Sequence, residues 1–393
     1  MATYKEQNKL NVPHLRFPEF HGEWEKCKLG DIAEFSTARI SSVKLDCKNY
    51  VSTENMLQDF QGVVEAKSVP NETNVISFTC GDILISNIRP YLKKVWKATF
   101  DGGCSSDVFV LQATDTVAKD YLHYAVANDK FINYVMSGAK GVKMPRGDKN
   151  QMRTYQLSLP SIQEQYKIAK LLTLLDERIA TQSKLIEDLK KQKSAIIDYA
   201  INSLDTDFAK FGSLYEMAGE GGTPTTSNAS FYVNGKIPFV KIDDLKKKYL
   251  TENKDFITEL GLQKSSAWLV PTRSILFSNG ATIGEITITT YPVCTKQGIL
   301  GIVPKPNIDV EFLYYFMSSS YFKKAVSRIV TEGTMKTVYL KDINNIRCPI
   351  PTKEKQLDIA KMPSALNSKI DFEQSILKLF GSQKQYLLRQ MFM

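Results

Sequence analysis

Two stretches of this 393-residue chain combine glycine, cations and amides in a pattern suited to a polyanion. The first half holds Asn87-Ile88-Arg89-Pro90-Tyr91-Leu92-Lys93-Lys94 and, later, Gly138-Ala139-Lys140-Gly141-Val142-Lys143-Met144-Pro145-Arg146-Gly147-Asp148-Lys149-Asn150. Glycine amides and the cations Arg89, Lys93, Lys94, Lys140, Lys143, Arg146 and Lys149 suit phosphate oxygens, and Asn, Arg and Lys side chains also reach base edges. The second half places Thr331-Glu332-Gly333-Thr334-Met335-Lys336 at the matching position. Thr334 and Lys336 therefore join the candidates, with Lys241, Arg273, Asn279, Lys296, Gln297 and Arg328; Lys246, Lys247 and Lys248 add charge nearby. One such residue is more often a solvated surface charge. The recurrence of a basic glycine loop in both halves singles the set out. The balance of 51 Lys+Arg against 42 Asp+Glu, a formal charge of +9, favours the same kind of partner.

Other chemistries lack their residues. No G-x-x-x-x-G-K-[ST] loop and no G-x-G-x-x-G after a strand is present, so the phosphate cradles of nucleotide hydrolysis and dinucleotide binding are missing. The Asn-Pro-Pro-aromatic turn of an adenine methyltransferase is missing too, and no acidic-acidic-lysine nuclease cluster stands out. Three histidines, His14, His21 and His123, give little material for a triad or a metal centre. Six cysteines are scattered singly, which reads as reduced thiols. The chain is expected to be non-catalytic, with no cofactor or metal of its own. No apolar run approaches the ~20 residues that span a bilayer, and MATYKEQNKLNVPH lacks a secretory core, so a cytoplasmic protein without a membrane partner is expected.

The elements that would position these loops occur twice. Pro160 maps to Pro351, a displacement of 191 that also carries Gln165 to Gln356, Ile168-Ala169-Lys170 to Ile359-Ala360-Lys361, Leu175 to Leu366 and Ile179 to Ile370. The register extends back to Tyr121-Leu122-His123-Tyr124 on Phe312-Leu313-Tyr314-Tyr315. Weaker echoes pair DILISN at Asp82 with SILFSN at Ser274, and LGDIAE at Leu29 with FGSLYE at Phe211. Between the anchors the halves diverge, so one scaffold carries two surfaces.

Each copy ends in a long helix. Ser161-Ile162-Gln163-Glu164 reads as a capping box. A heptad seam follows at Ile168, Leu172, Leu175, Ile179, Gln182, Ile186, Leu189, Lys193, Ile196 and Ala200. Its twin runs through Ile359, Leu366, Ile370, Glu373, Leu377, Phe380, Lys384, Leu387 and Met391. The expected helices are ~60 Å long and pack as an antiparallel coiled coil, Pro363 kinking the second or delaying its regular part. Short strands are expected at Asp82–Ser86, Asp107–Leu111, Ile275–Ser278 and Glu285–Tyr291, with turns at Asp101-Gly102-Gly103, Asn234-Gly235 and Asn279-Gly280. The fold class is mixed α/β: two globular domains separated by two long helices, with an internal pseudo-twofold repeat. The boundaries are 1–160, a helix over 161–203, 204–350, and a helix over 351–393.

HLRFPEFHGEWEKCKLGDIAEF, GGTPTTSN before IPFVKIDDL, and GVKMPRGDKNQM running into LSLPSIQEQYKIAKLLTLLDERI, with the degenerate second copy of that ending, resemble the specificity subunit of a type I restriction-modification system. The second copy departs locally, reading Leu366-Asn367-Ser368-Lys369-Ile370 where the first has Leu-Asp-x-x-Ile. The resemblance implies a sequence-specific reader of double-stranded DNA with two target recognition domains, each reading half of a bipartite site. It further implies helices that space the domains and dock two methyltransferase subunits bringing S-adenosylmethionine, to which restriction subunits can be added. The competing readings are a single-chain nuclease or methyltransferase and a coiled-coil scaffold that binds no DNA.

Overall fold

The computed structural model describes residues 11–280, 282–330 and 336–392. Contacts divide the chain into two units, Met1–Thr181 with Leu377–Met393, and Gln182–Ile376.

In the first unit the chain forms β1 (Glu25–Lys28), α1 (Leu29–Ile32), β2 (Ala33–Phe35), β3 (Arg39–Ser41), β4 (Tyr50–Val51), β5 (Asn74–Phe78), β6 (Ile83–Ser86), β7 (Val95–Lys97), β8 (Gly102–Cys104) and β9 (Val108–Ala113). Then come α2 (Lys119–Val126), α3 (Asp129–Ser137), α4 (Lys149–Arg153), β10 (Gln156–Leu159) and the long α5 (Ile162–Asn202), which runs on into the second unit. The sheets are ordered β2-β9-β6-β7 and β3-β5-β8-β4, and β1 pairs with β10. Strand β6 is buried on both faces because its alternate residues serve different cores. Ile83 and Ile85, with Phe109 and Leu111 of β9, face α2, α3 and the start of α5. Leu84, Val108 and Val110 face Val51, Phe78 and Trp96.

The second unit repeats the plan. Strands β11 (Phe208–Lys210), β12 (Tyr215–Glu220), β13 (Ile237–Val240), β14 (Tyr249–Leu250) and β15 (Asp255–Ile257) precede α6 (Glu259–Gln263). They are followed by β16 (Ile275–Ser278), β17 (Ile286–Thr289), β18 (Cys294–Thr295), β19 (Ile299–Pro304), α7 (Val310–Ser318), α8 (Ser320–Ile329), α9 (Leu340–Ile343), β20 (Arg347–Pro349) and α10 (Lys353–Met391), whose last residues belong to the first unit. The sheets are β12-β19-β16-β17-β14 and β15-β13-β18, with β11 paired to β20. Ile275 and Phe277 of β16 face the helices, and Leu276 joins the core around Val240 and Leu250.

All four expected strands are present. Gly102-Gly103, expected as a turn, is instead the start of β8. A Cβ on Gly102 would sit 2.1 Å from the Asn49 carbonyl oxygen, and one on Gly103 2.5 Å from a Leu45 methyl, so these glycines serve close strand packing. Helix α10 starts at Lys353 and runs through Pro363, so its regular part is not delayed. Proline removes one backbone donor, which flanking hydrogen bonds and burial of the ring outweigh. No described helix is long and apolar enough to cross a membrane.

The long helices run antiparallel where they meet. In the first unit Lys384 lies 2.6 Å from Asp176, and Arg178 covers the Phe380 ring. In the second, Lys193 donates to Asn367 at 2.9 Å and Gln182 to the Glu373 carbonyl at 3.2 Å. Lys384 and Asp176 are the repeat mates of Lys193 and Asn367, so the same polar contact is made in both units. Every seam residue expected on either helix is buried or half-buried.

A buried glutamine near the start of each long helix joins it to its globular half. Gln165 donates to the Pro160 carbonyl at 3.0 Å and accepts from the Ala118 amide at 2.9 Å; Gln356 does the same with Pro351 (2.9 Å) and Asp309 (2.7 Å). The capping box is only half made. Ser161 Oγ accepts from the Glu164 amide at 3.4 Å, but the Glu164 carboxylate turns to Arg16, taking two bonds of 2.8 Å from its guanidinium. A bidentate cation outcompetes a single backbone amide for a carboxylate that is 1% exposed.

His123 is half-buried in α2, and its Nδ1 is sealed from solvent without a partner. Burial, then the charges of Lys384 and Lys97, push its pKa down to about 4, against opposing pulls from Asp176 and Asp120.

Two stability experiments follow. Arg16→Ala leaves Glu164 buried and unpaired and should cost about 3 kcal/mol in urea unfolding, with Glu164→Gln on top restoring part of it. Because the folded-state pKa of His123 lies below the unfolded value, its contribution is complete above about pH 6.5 and declines towards pH 4. The slope is at most about 1.4 kcal/mol per pH unit, and His123→Leu should flatten the melting profile across that window.

Candidate nucleic-acid interface

In the first unit the two basic loops are one structure. Gly147 N donates to the Asn87 carbonyl at 2.8 Å and Arg89 N to the Pro145 carbonyl at 2.7 Å, while Ile88 and Arg146 form an antiparallel bridge. A second bridge closes the later loop on itself, Lys140 N to Arg146 O at 3.1 Å and Arg146 N to Lys140 O at 2.9 Å. Segments 87–89, 140 and 145–147 thus lie side by side. The sequence supports this locally: Asp148 caps α4 by accepting from Asn150 N (2.7 Å) and Gln151 N (3.2 Å), bonds that hold its carboxyl below the usual range. Arg89 and Lys93 take left-handed conformations (φ 49° and 54°) at either end of the turn Pro90–Leu92. That strain is held by the Pro145 bond and by Leu92 N to Arg89 O at 2.9 Å.

This arrangement puts Arg89, Lys140, Lys143 and Arg146 on the surface together. Arg146 is 3.5 Å from Asp107 and Lys140 is 3.7 Å from Asp148. Such exposed pairs are worth little and exchange readily for phosphates. The other three candidates of this half are engaged within the domain. Lys94 donates to the Thr53 carbonyl at 2.6 Å, and burial, then Arg89, lowers its pKa. Lys149 lies 4.7 Å from the Phe109 ring centre, its pKa lowered by burial and then by Arg153. Lys93 pairs with Asp129 at 2.8 Å.

The second unit uses the same hinge, Val338 N donating to the Asn279 carbonyl at 3.0 Å where the first has Gly147 and Asn87. Asn279 itself is corrected. It is 2% exposed and its amide donates to the Val338 carbonyl at 3.1 Å, so it fastens the loop base and does not face a ligand. Lys248 is likewise buried, tied to Glu311 and, at 2.9 Å, to Ser364. Lys241, Lys296 and Gln297 are exposed and adjacent: β13 and β18 pair Val240 with Thr295, and Lys296 N donates to the Val240 carbonyl at 2.9 Å. Lys241 pairs with Asp255 at 2.8 Å. The glycine-rich Glu220-Gly221-Gly222-Thr223 stretch braces this turn, Glu220 accepting from Gly298 N at 3.0 Å and Thr223 Oγ1 from Gln297 N at 3.3 Å. A Cβ on Gly221 would strike Thr295 at 2.2 Å, which is why glycine stands there.

Arg273 is exposed before the start of β16, the opposite end from Asn279, beside Asp309 at 3.9 Å, and so is not brought to the Lys296 turn. Arg328 is exposed in the last turn of α8, and Lys336 is exposed. Thr334 lies outside the described residues. Among the described residues, no group of three or more His, Cys, Asp and Glu is placed to hold a metal ion. Burial pushes the thiols of Cys27 and Cys294 up to about 11 and that of Cys104 to about 12, so they stay protonated at neutral pH.

A sequence model of the type I restriction modification DNA specificity domain matches the chain twice, over residues 21–191 and 205–379. Each match takes in one globular half and most of the long helix that follows it. The chain is 24% identical over 410 residues to the type I restriction enzyme MjaVIII specificity subunit of Methanocaldococcus jannaschii, an alignment covering 95% of this chain and 92% of that one. It is 24% identical over 420 residues to the putative type I restriction enzyme MjaX specificity subunit of the same organism, covering 95% and 93%. Among solved structures it shares its fold with the type I restriction-modification S subunit from M. genitalium, at a TM-score of 0.59, 15% identity, and coverage of 97% and 99%. A chain from a study of complex assembly and conformational transition of the type I R-M system aligns equally well, at 0.59 with 17% identity, covering 93% and 96%. With a repeated frame, a loop base built the same way in each unit, and two family matches that together cover most of its length, the chain belongs to the type I restriction modification DNA specificity domain family.

Proposed function

We propose that this chain reads double-stranded DNA for a type I restriction-modification enzyme, each globular half reading one part of a bipartite site. The observation that carries the proposal is the shared loop base, Asn87 to Gly147 and Asn279 to Val338, from which two different sets of cations project. A common frame sets where the loops stand, and divergent side chains give each half its own sequence preference.

Methylation chemistry is assigned to two partner methyltransferase subunits, which carry S-adenosylmethionine, and cleavage to restriction subunits that join them. Support for docking on the long helices comes from their exposed apolar side chains, among them Leu174, Tyr199, Met362, Phe372, Leu379 and Tyr386. Apolar groups left in water along charged helices mark a surface that a partner covers.

Two experiments test the reading. Co-expression with the methyltransferase subunit of its own system in a methylation-free host, with single-molecule mapping of modified adenines, should reveal one bipartite motif. No methylation with a bound, folded partner would overturn it. Lys143→Ala with Arg146→Ala should weaken DNA binding and reduce the slope of log affinity against log salt by about 2, at ~0.9 per phosphate contact. Thermal unfolding and partner assembly should be unchanged, since both side chains are exposed.

A further inference from the structure

We infer that Val142 is a base-reading residue, packing against the methyl group of a thymine in the major groove of the half-site bound by the first unit. The inference deepens the DNA-reading proposal and rests on it.

Segment 140–146 is a finger with a fixed base. Its ends are joined by the paired Lys140–Arg146 bonds, and its returning arm is fastened to 87–89 through Arg89 and Asn87, with Pro145 buried. At the tip, Gly141 turns the chain with φ 96°, and a Cβ there would lie 3.3 Å from the Met144 carbonyl oxygen. A residue with a side chain would be strained in that conformation, so the glycine sets the direction of the tip. Val142 follows it. Its relative exposure of 104% is the highest among the exposed large apolar residues, the next being Tyr199 at 77%. No described residue of its own unit covers it.

The surroundings identify what does. Lys140, Lys143 and Arg146 are all exposed and lie within four residues of Val142, so the tip sets bare Val142, with half-exposed Met144 beside it in the chain, among cations. An acidic protein or an anionic lipid surface would also meet such cations, but on the DNA-reading proposal the occupant is a duplex, whose phosphates line both walls of a groove with base edges between them. The finger is a short loop closed by the single Lys140–Arg146 bridge, and the major groove, ~12 Å across, offers such a loop about twice the width of the minor groove at ~6 Å. On the major-groove floor the apolar feature is the C5-methyl of thymine. Valine has no side-chain donor or acceptor, so it distinguishes T·A from C·G by contact with that methyl alone. One methyl removed from water corresponds to about fourfold in affinity.

The test uses the full chain with its methyltransferase partner and the half-site taken from the adenine map. Each thymine is replaced in turn by deoxyuridine, which lacks only the methyl. One position should weaken binding by the wild type about fourfold. Val142→Ala should lose a comparable factor on thymine DNA and show no further loss with deoxyuridine at that position. Its salt slope should equal that of the wild type, because no phosphate contact is removed. Identical deoxyuridine losses in wild type and variant, no sensitive position, or a half-site without a T·A pair would overturn the assignment while leaving DNA reading intact. Absence of site-specific binding by the wild type would remove the DNA-reading proposal itself, and this one with it.

Discussion

A buried side-chain amide must have its donors and acceptor filled, and two glutamines turn that constraint into architecture. Gln165 and Gln356 are each 1% exposed. Each ties together the proline carbonyl before a long helix, the first amide region of a shorter helix, and a carbonyl in the approach to it. Breaking any of these contacts strands a polar group in the core, so the angle at which each globular half leaves its helix is set by chemistry with little freedom. The recognition loops hang from the sheet that packs on those shorter helices, and their positions inherit that angle.

Charge is sorted by depth on the same frame. Within the scaffold, cations are engaged: Lys248 by Glu311, Lys94 by a carbonyl and Lys149 by aromatic faces. Glu311 is the repeat mate of Asp120, and each pairs with a lysine, Lys248 just before β14 and the half-exposed Lys97 of β7, so a lysine–carboxylate pair meets the same helix in both units. At the surface, Arg89, Lys140, Lys143, Arg146, Lys241 and Lys296 have only weak or exposed partners. A buried pair resists exchange because its ions would have to be separated in low dielectric, whereas an exposed pair gives up its carboxylate for a phosphate at little cost. The division between scaffold cations and those free to meet a polyanion is therefore one of solvation, which residue type does not reveal.

Much of the frame was legible in the residues. The 191-residue displacement located both long helices, and the heptad seam named positions that are buried or half-buried, down to the polar interruptions Gln182 with Glu373 and Lys193 with Lys384. Apolar β-branched runs located the central strands β6, β9, β16 and β17. Legibility failed where a residue answers to something distant in sequence. Gly102-Gly103 carries a local turn signal yet forms a strand, because Asn49 and Leu45 approach too closely for any side chain. Glu164 fits a capping box yet serves Arg16, 148 residues away. Asn279 looks like a base reader and is a buried brace for Val338.

The sequence by itself determined the duplicated plan, the two long helices with their seam, the mixed α/β character and the basic loops, because each rests on periodicity or on short-range spacing that one turn or one strand can express. Only the tertiary structure decided which cations remain at the surface, that residues 87–89 and 140–147 form a single platform, and that Val142 stands bare at its tip. Those properties depend on which distant segments close over a side chain and which leave it in water. Solvation of that kind arises only when the chain has folded.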